Sequence, residues 1–435
     1  MLKKIDSARD RLEQALARIA DPTGEGSRAC LTVYTESARA AADAADARKR
    51  AGVSLGPLDG AIVSIKDLFD VPGEVTRAGS KVLLEEGKIA GTDAPAVARL
   101  RAAGAVIVAK TNMTEFAFSG VGHNPHYGTP GNPADRERAP GGSSSGAAVA
   151  VADGMCEIAI GTDTGGSTRI PAALCGIVGF KPSRYRVPTD GAFPLSFTLD
   201  SVGPLARTVA DCAKADAVMA GEQPWTIDPA PLEALRFGIP QGLPLEHLDD
   251  TVAARFQQAL KILAAAKVRL RDEKLPQVDA MVAVNAKGGL APPEALSIHR
   301  ERLQARGGDV DPNVRARIER AAKISAADYV DMARGRAALV LAMDARLTDL
   351  DALVLPTSAI VAPKLADIAT PETFGPANVL LLRNPSMVNF FDLCAISLPI
   401  PGSGLPVGLM LVARNGQDRR LFRMATGLER LLQAG

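Results

Sequence analysis

Residues 140–182 read PGGSSSGAAVAVADGMCEIAIGTDTGGSTRIPAALCGIVGFKP, and the fold turns on how this stretch is read. It holds two serine-bearing glycine turns. The first, Gly141-Gly142-Ser143-Ser144-Ser145-Gly146, opens the apolar run AAVAVAD, a helix whose first turn the serines can cap and which Gly154 can stop. Glu157-Ile158-Ala159-Ile160 then reads as a buried strand that delivers Gly161-Thr162-Asp163-Thr164-Gly165-Gly166-Ser167, and Pro171 suits the first turn of a short helix ending before Gly176. One helix and one strand separate Ser143 from Ser167, so the chain goes out and returns and the two serines can meet. A glycine-rich turn between a strand end and a helix start aims several N–H groups at one spot, as a developing oxyanion requires, which makes Ser167 a candidate nucleophile.

Around this core the composition is that of an ordinary globular protein. The chain has 435 residues, 47% apolar and 23% charged, and no low-complexity tract or Pro/Ser/Gly linker breaks it, so one large core is expected. A net charge of +1 gives no electrostatic case for nucleic acid or an anionic membrane as partner. Cys30, Cys156, Cys175, Cys212 and Cys394 are odd in number, scattered and mostly in apolar runs, which predicts reduced core residues and a cytoplasmic protein. The start, MLKKIDSARDRLEQALARIAD, is too charged for a signal peptide, and no run of apolar residues is long enough to span a membrane. Aromatic residues are 4% of the chain, with Trp225 the sole tryptophan, which disfavours a site built to stack large flat substrates.

Strand and helix patterns alternate, giving the α/β class. Leu12, Ala15, Leu16 and Ile19 mark an amphipathic helix, residues 36–51 an Ala-rich one, and Gly56-Pro57-Leu58-Asp59-Gly60 a turn into the apolar strand IVSIKDLF. Lys66 within that strand stands among apolar neighbours that would desolvate it and lower its pKa toward that of a usable base. Taken alone, the segment favours a snorkelling lysine or an ion pair with Asp67 or Asp70. A helix and strand follow over residues 94–110, and the polar, glycine-rich loop of residues 119–128, with Gly120, Val121 and Gly122, is a candidate pocket wall. Residues 183–220 read as a loop-rich connection and a helix, residues 252–266 as a helix, and residues 353–357 and 404–412 as strands; Leu421, Met424, Leu428 and Leu431 mark a closing helix. Residues 286–350 are polar and helical, and their arginines (300, 302, 306, 315, 317 and 320) read as a solvated face.

Several chemistries compete for the serine core. The glycines suggest a phosphate cradle, but no G-x-x-x-x-G-K-[ST] is present, and Gly120-Val121-Gly122 lacks a third glycine. Residues 142–146 match G-x-S-x-G, which would make Ser144 the nucleophile of an esterase with His247 or His299 as base, yet the polar run before Pro140 is no buried strand. His123 and His126 lack the H-E-x-x-H of a metal hydrolase. A serine hydrolase with a neutral lysine as base would have to assemble Lys66, Ser143 and Ser167 through space. Glycine turns with no chemistry remain the plain alternative.

The runs GGSSSGAAVAVADG and IAIGTDTGGSTRIPAALCGIVGFKPS, together with VSIKDLFD, resemble the signature of the amidase signature family of serine hydrolases, and the similarity extends from Gly56 through Asp200-Ser201-Val202-Gly203-Pro204 to Leu405-Pro406-Val407-Gly408-Leu409. The resemblance implies a single domain over residues 1–435, a central mixed sheet covered by helices on both faces, a signature core over about 56–215, and a more variable helical region over about 286–350 shaping the pocket. It implies a Ser-Ser-Lys triad of Ser167, Ser143 and Lys66, a cis peptide at Gly142-Ser143, and an oxyanion hole from the N–H groups of Thr164, Gly165, Gly166 and Ser167. The implied activity is hydrolysis of a linear amide through an acyl-enzyme, without metal or organic cofactor. The substrate is a small-molecule amide, small or aliphatic given the few aromatics, or a carbamate, urea or aryl amide; the family also allows a homodimer. Gly120, Val121, Gly122, Ser144 and Arg169 are the candidates for contact with substrate. Some members bind a substrate carboxylate with an arginine near the nucleophile, but Arg169 is offset by one position from that pattern, which favours a structural pair with Asp163. The alternative function is the glutaminase subunit of a tRNA amidotransferase, although Arg184-Tyr185-Arg186-Val187-Pro188-Thr189-Asp190-Gly191 matches the Y-G-R-V-S-R-Y-G pattern of that branch poorly.

Overall fold

Eleven strands hydrogen-bond into one mixed sheet in the computed structural model, which describes residues 7–223 and 225–434; residues 1–6, 224 and 435 of the expected domain lie outside it. In chain order they are β1 (Cys30–Val33), β2 (Ile62–Lys66), β3 (Val106–Thr111), β4 (Ile158–Thr162), β5 (Val178–Lys181), β6 (Val202–Ala206), β7 (Arg236–Pro240), β8 (Arg269–Glu273), β9 (Ala352–Pro356), β10 (Cys394–Pro399) and β11 (Gly408–Ala413). Across the sheet the order is β1-β3-β2-β4-β6-β5-β10-β11-β9-β7-β8. β2 runs parallel to both β3 and β4, whereas β4 with β6, β5 with β6, and β10 with β5 and β11 are antiparallel.

Because side chains alternate across a strand, the central strands feed two cores. Val63, Ile65, Ile107, Ile158 and Ile160 face one way and pack with the helices Val209–Ala220 and Asp418–Ala434. Ile62, Val106, Val108 and Ala159 face the other way, against the helices Ala8–Ala20, Thr35–Arg50 and Ser145–Ala152. In the second half of the sheet, Leu353, Leu355, Met410 and Val412 meet the helices Ala326–Arg346 and Pro371–Phe390. This is the expected α/β architecture, a large mixed sheet flanked by helices. The five cysteines are buried and unpaired, and no helix among the described residues is long and apolar enough to cross a membrane.

The helix after the first glycine turn spans Ser145–Ala152 and is buried on every side. Its serines do not cap it: Ser144 Oγ turns instead to the Thr162 carbonyl at 3.4 Å. Several elements of the fold escape the sequence reading, β1 among them. β5 and β6 lie within short runs broken by Gly179, Gly203 and Pro204. Nothing is assigned between residues 358 and 403, where the structure has the long helix Pro371–Phe390 and β10. Pro376 and Pro385 sit inside that helix, and a proline there ordinarily argues for a break. The Leu381 carbonyl that Pro385 leaves without its helical donor accepts from Ser358 Oγ at 3.4 Å, so tertiary contacts make good the loss.

Candidate active site

The parallel strands β2 and β4 end side by side, and their last residues begin the site. Lys66 closes β2 and Thr162 closes β4. Lys66 is fully buried, and its Nζ lies 2.8 Å from Ser143 Oγ and 2.8 Å from Thr162 Oγ1. Burial pulls its pKa down from 10.5 to about 7, while the negative charges of Asp163 and Asp200 push back. The plain alternative for this lysine does not hold, since Asp67 pairs with Arg77 at 2.9 Å and the Lys66 amine faces two hydroxyls.

Ser143 is held by its backbone. The Gly142–Ser143 peptide is cis, the Ser143 carbonyl accepts from the Thr114 N–H at 3.1 Å, and the Gly142 N–H reaches the Gly120 carbonyl at 2.8 Å. A β-carbon at Gly142 would stand 2.6 Å from the Gly122 nitrogen, so two glycine backbones meet where no side chain fits. Gly120, Val121 and Gly122 therefore brace the Ser143 turn, and Val121 is buried among Ile170 and Leu174. This corrects their expected contact with substrate. The residues just before them, Ala117, Phe118 and Ser119, line the cavity instead. Ser144 is also corrected: it is fully buried behind Ser143 and does not line the cavity, which removes the esterase reading.

The second turn is organised by Asp163. Its carboxylate accepts from the Gly166 N–H at 2.8 Å, the Thr168 N–H at 3.1 Å and the Thr168 hydroxyl at 2.9 Å, and from the Asn389 amide at 2.9 Å. Arg169 grips both its oxygens, at 2.9 and 3.0 Å, and donates further to the Pro385 carbonyl and to Asn389 Oδ1. Burial works to raise the Asp163 carboxyl, but Arg169, with Lys181 and Asn389, overcomes it and holds the group below the usual carboxylate range. Both members of the pair are fully buried, so Arg169 is a structural partner with no donor turned to the cavity. Its candidacy for substrate contact is corrected accordingly.

With the turn fixed this way, Ser167 is 4% exposed and lines a cavity of about 280 Å³ together with Thr164 and Gly165. Among the described residues the N–H groups of Thr164, Gly165 and Ser167 donate to no protein group, whereas that of Gly166 is committed to Asp163. Gly166 has φ +131°, and a β-carbon there would lie 2.5 Å from Pro385 Cβ, so the turn demands glycine. No hydrogen bond joins Ser143 to Ser167 among the described residues; the structure ties Lys66 to Ser143 directly and leaves Ser167 Oγ facing the cavity.

Thr162, Asn389 and Asp200 play parts that the sequence reading leaves unassigned. Asp200 accepts from Thr164 Oγ1 at 2.5 Å and from the N–H groups of Leu195 and Ser196, and burial raises it to about 6. The histidines are engaged elsewhere. His123 lies by Asp311 and His126 by Glu115, and His299 is stacked 4.0 Å from Phe116 and held down to about 3 by burial and then by Arg302. The cavity wall is mostly apolar, with Leu195, Met281, Leu290, Leu382 and Phe390 among its members. Arg317 also lines it, which corrects the reading of that arginine as part of a solvated face.

A sequence profile of the amidase family matches residues 10–422. The chain is 40% identical to the 2-amino-5-chloromuconic acid deaminase of Comamonas testosteroni, over 92% of this chain and 87% of that one. It is 36% identical to a glutamyl-tRNA(Gln) amidotransferase subunit of Chloroflexus aurantiacus, over 97% of this chain and 92% of that one. A crystal structure of an amidase superposes with a TM-score of 0.88 at 35% identity, covering 98% of this chain and 96% of the other.

Proposed function

Since the chain belongs to the amidase family and is a hydrolytic amidase acting on carbon–nitrogen bonds, we propose that it cleaves a linear amide by way of an acyl-enzyme on Ser167, with Lys66 as base and Ser143 as the relay between them. The observation that carries this reading is the buried Lys66 amine, drawn down to about 7 and set 2.8 Å from Ser143 Oγ. A neutral amine has one lone pair to accept the Ser143 proton and two N–H groups, one of which serves Thr162 Oγ1. As Ser167 Oγ attacks the amide carbon, its proton passes to Ser143 while the Ser143 proton passes to Lys66. The oxyanion is met by the free N–H groups of Thr164, Gly165 and Ser167, and Gly166 supplies the bend rather than a donor. The relay then runs backward to protonate the leaving nitrogen, the amine departs, and water, deprotonated along the same path, releases the acyl group. A cavity of about 280 Å³ suits a small acyl portion. The buried, unpaired cysteines fit a reducing compartment, and we place the protein in the cytoplasm.

Ser167→Ala tests the assignment. It is expected to abolish turnover and labelling by a serine-directed reagent while circular dichroism and thermal unfolding stay as in the wild type. Labelling that persists in Ser167→Ala would overturn it. A second reading, a glutaminase subunit of an amidotransferase, rests on the 36% identity with the Chloroflexus protein. Amide turnover by the purified chain alone argues against it; glutamine hydrolysis that appears only with partner subunits supports it.

A further inference from the structure

Beside the cavity that exposes Ser167 lies a smaller one of about 90 Å³, and the two share Ala117, Thr164 and Leu195 as a common wall. The side pocket starts at an exposed rim of Thr189, Pro194 and Phe197 and reaches inward to Thr162 and Asp200. Thr162 Oγ1 is the hydroxyl that holds Lys66 Nζ at 2.8 Å, and Thr162 lines this pocket and not the main cavity. The side pocket therefore adjoins the base, whereas the main cavity adjoins the nucleophile.

Asp200 is the only charged side chain in the wall of the side pocket among the described residues. Its carboxylate accepts from Thr164 Oγ1 and from the N–H groups of Leu195 and Ser196, all neutral donors, and pairs with no cation among the described residues. Asp67, Asp163 and Asp216 each hold an arginine. Glu294 also lacks a cation, but it takes donors from Ser196, Thr198 and Tyr329 and lines neither cavity. Burial raises Asp200 to about 6, so it is mostly ionised at pH 7. A carboxylate enclosed without a counter-charge is costly, and this one has lone pairs to spare for a guest. The rest of the wall suits a small ammonium ion. The Thr162, Thr164 and Thr189 hydroxyls are acceptors for its N–H groups, and the rings of Phe193 and Phe197 favour a cation. An ammonium ion is close in size to a water molecule, about 30 Å³, so the pocket has room for ammonium or a short alkylammonium and none for an aromatic amine.

We propose that the side pocket takes the nitrogen released at Ser167, as ammonium or a short alkylammonium ion with Asp200 as its counter-charge, so that the amides cleaved are primary or carry a small N-alkyl group. This rests on the reading of Ser167 as the nucleophile and Lys66 as the base. The leaving nitrogen takes its proton from Ser143, which Lys66 reprotonates, so it departs on the side of the relay and not toward the apolar wall. The C–N bond breaks as the nitrogen gains that proton, and water then cleaves the acyl-serine. The acid so formed gives up one proton and the free amine takes one, leaving a carboxylate and an ammonium ion.

The test is calorimetry of methylammonium chloride against wild type, Ser167→Ala and Asp200→Asn, with sodium chloride as the baseline. Wild type and Ser167→Ala are expected to bind it alike and Asp200→Asn to lose about tenfold or more in affinity. Crystals of the wild type soaked in rubidium chloride, whose cation is close to ammonium in size, should show anomalous density beside Asp200, a readout that needs no variant. No methylammonium binding, equal binding in Asp200→Asn, or rubidium only elsewhere would overturn the proposal. The leaving-group role is read from the primary, N-methyl and N-benzyl amides of acetic, butyric and benzoic acids: the primary and N-methyl amides are expected to be cleaved and the N-benzyl amides refused. An N-benzyl amide cleaved as fast as its primary partner contradicts that role. Methylammonium binding that depends on Asp200 while Ser167→Ala still turns over sinks the nucleophile and keeps the cation pocket. An inactive Ser167→Ala that binds no methylammonium sinks the pocket alone.

Discussion

If Lys66 is the base, its protonation should be visible in the rate. A lysine at 10.5 is neutral in only about one molecule in 3,000 at pH 7, whereas at about 7 half the molecules carry the free amine, so burial raises the population of working base by about 10³-fold. The group must lose a proton to act, so kcat/KM should climb about tenfold per pH unit below pH 7 and level off above it, the midpoint belonging to Lys66 and Ser143 as a coupled unit. Lys66→Ala should lower kcat by about 10²–10⁴-fold or more and leave residual activity that rises with pH only through hydroxide. The assay is steady-state kinetics from about pH 5 to 9, with single substitutions of His123, His126, His247 and His299 run beside it. None of the four should move the limb: His299 is already neutral across this range, and His123 and His126 are turned to carboxylates away from Lys66. A Lys66→Ala enzyme with near-normal kcat, or one histidine change that erases the limb, would refute the reasoning.

Two further outcomes follow from the charges around the base. Asp200 raises the Lys66 pKa, so Asp200→Asn, which keeps an oxygen for the Leu195 and Ser196 N–H groups, should shift the limb to lower pH; a shift upward in the same profile contradicts the electrostatics. Arg169→Met leaves Asp163 buried without its cation and should cost about 3–5 kcal/mol in urea unfolding. Unchanged stability with a raised KM would return Arg169 to the substrate.

What the sequence discloses here depends on how local the cause is. β4 and the helices on either side of it are legible because apolar runs are cut by glycines at both ends, and the approach of Ser143 to the Ser167 turn is expected from the return of one helix and one strand. Lys66 is a different case: its segment alone favours a surface role, and only the family likeness points to a base, because desolvation depends on strands far away in the chain. Asn389 steadies Asp163 across 226 positions, from a helix whose two prolines hide it. Gly166 has the glycine of an oxyanion turn but spends its N–H on Asp163, a choice that spacing cannot express. Arg317 looks like its neighbours in a polar helical region, since composition does not record which arginine lines the cavity.

Lys66, Ser143 and Ser167 lie within about a hundred consecutive residues, while much of the cavity wall comes from residues 281–292, 317 and 382–390. On the proposed mechanism, the gene keeps the residues that break the bond in one stretch and draws much of the cavity wall from another. Substitutions at residues 281–292 can reshape the cavity wall without touching these three residues, whereas Pro385 and Asn389 in the last part also brace the Asp163 turn and are bound to it.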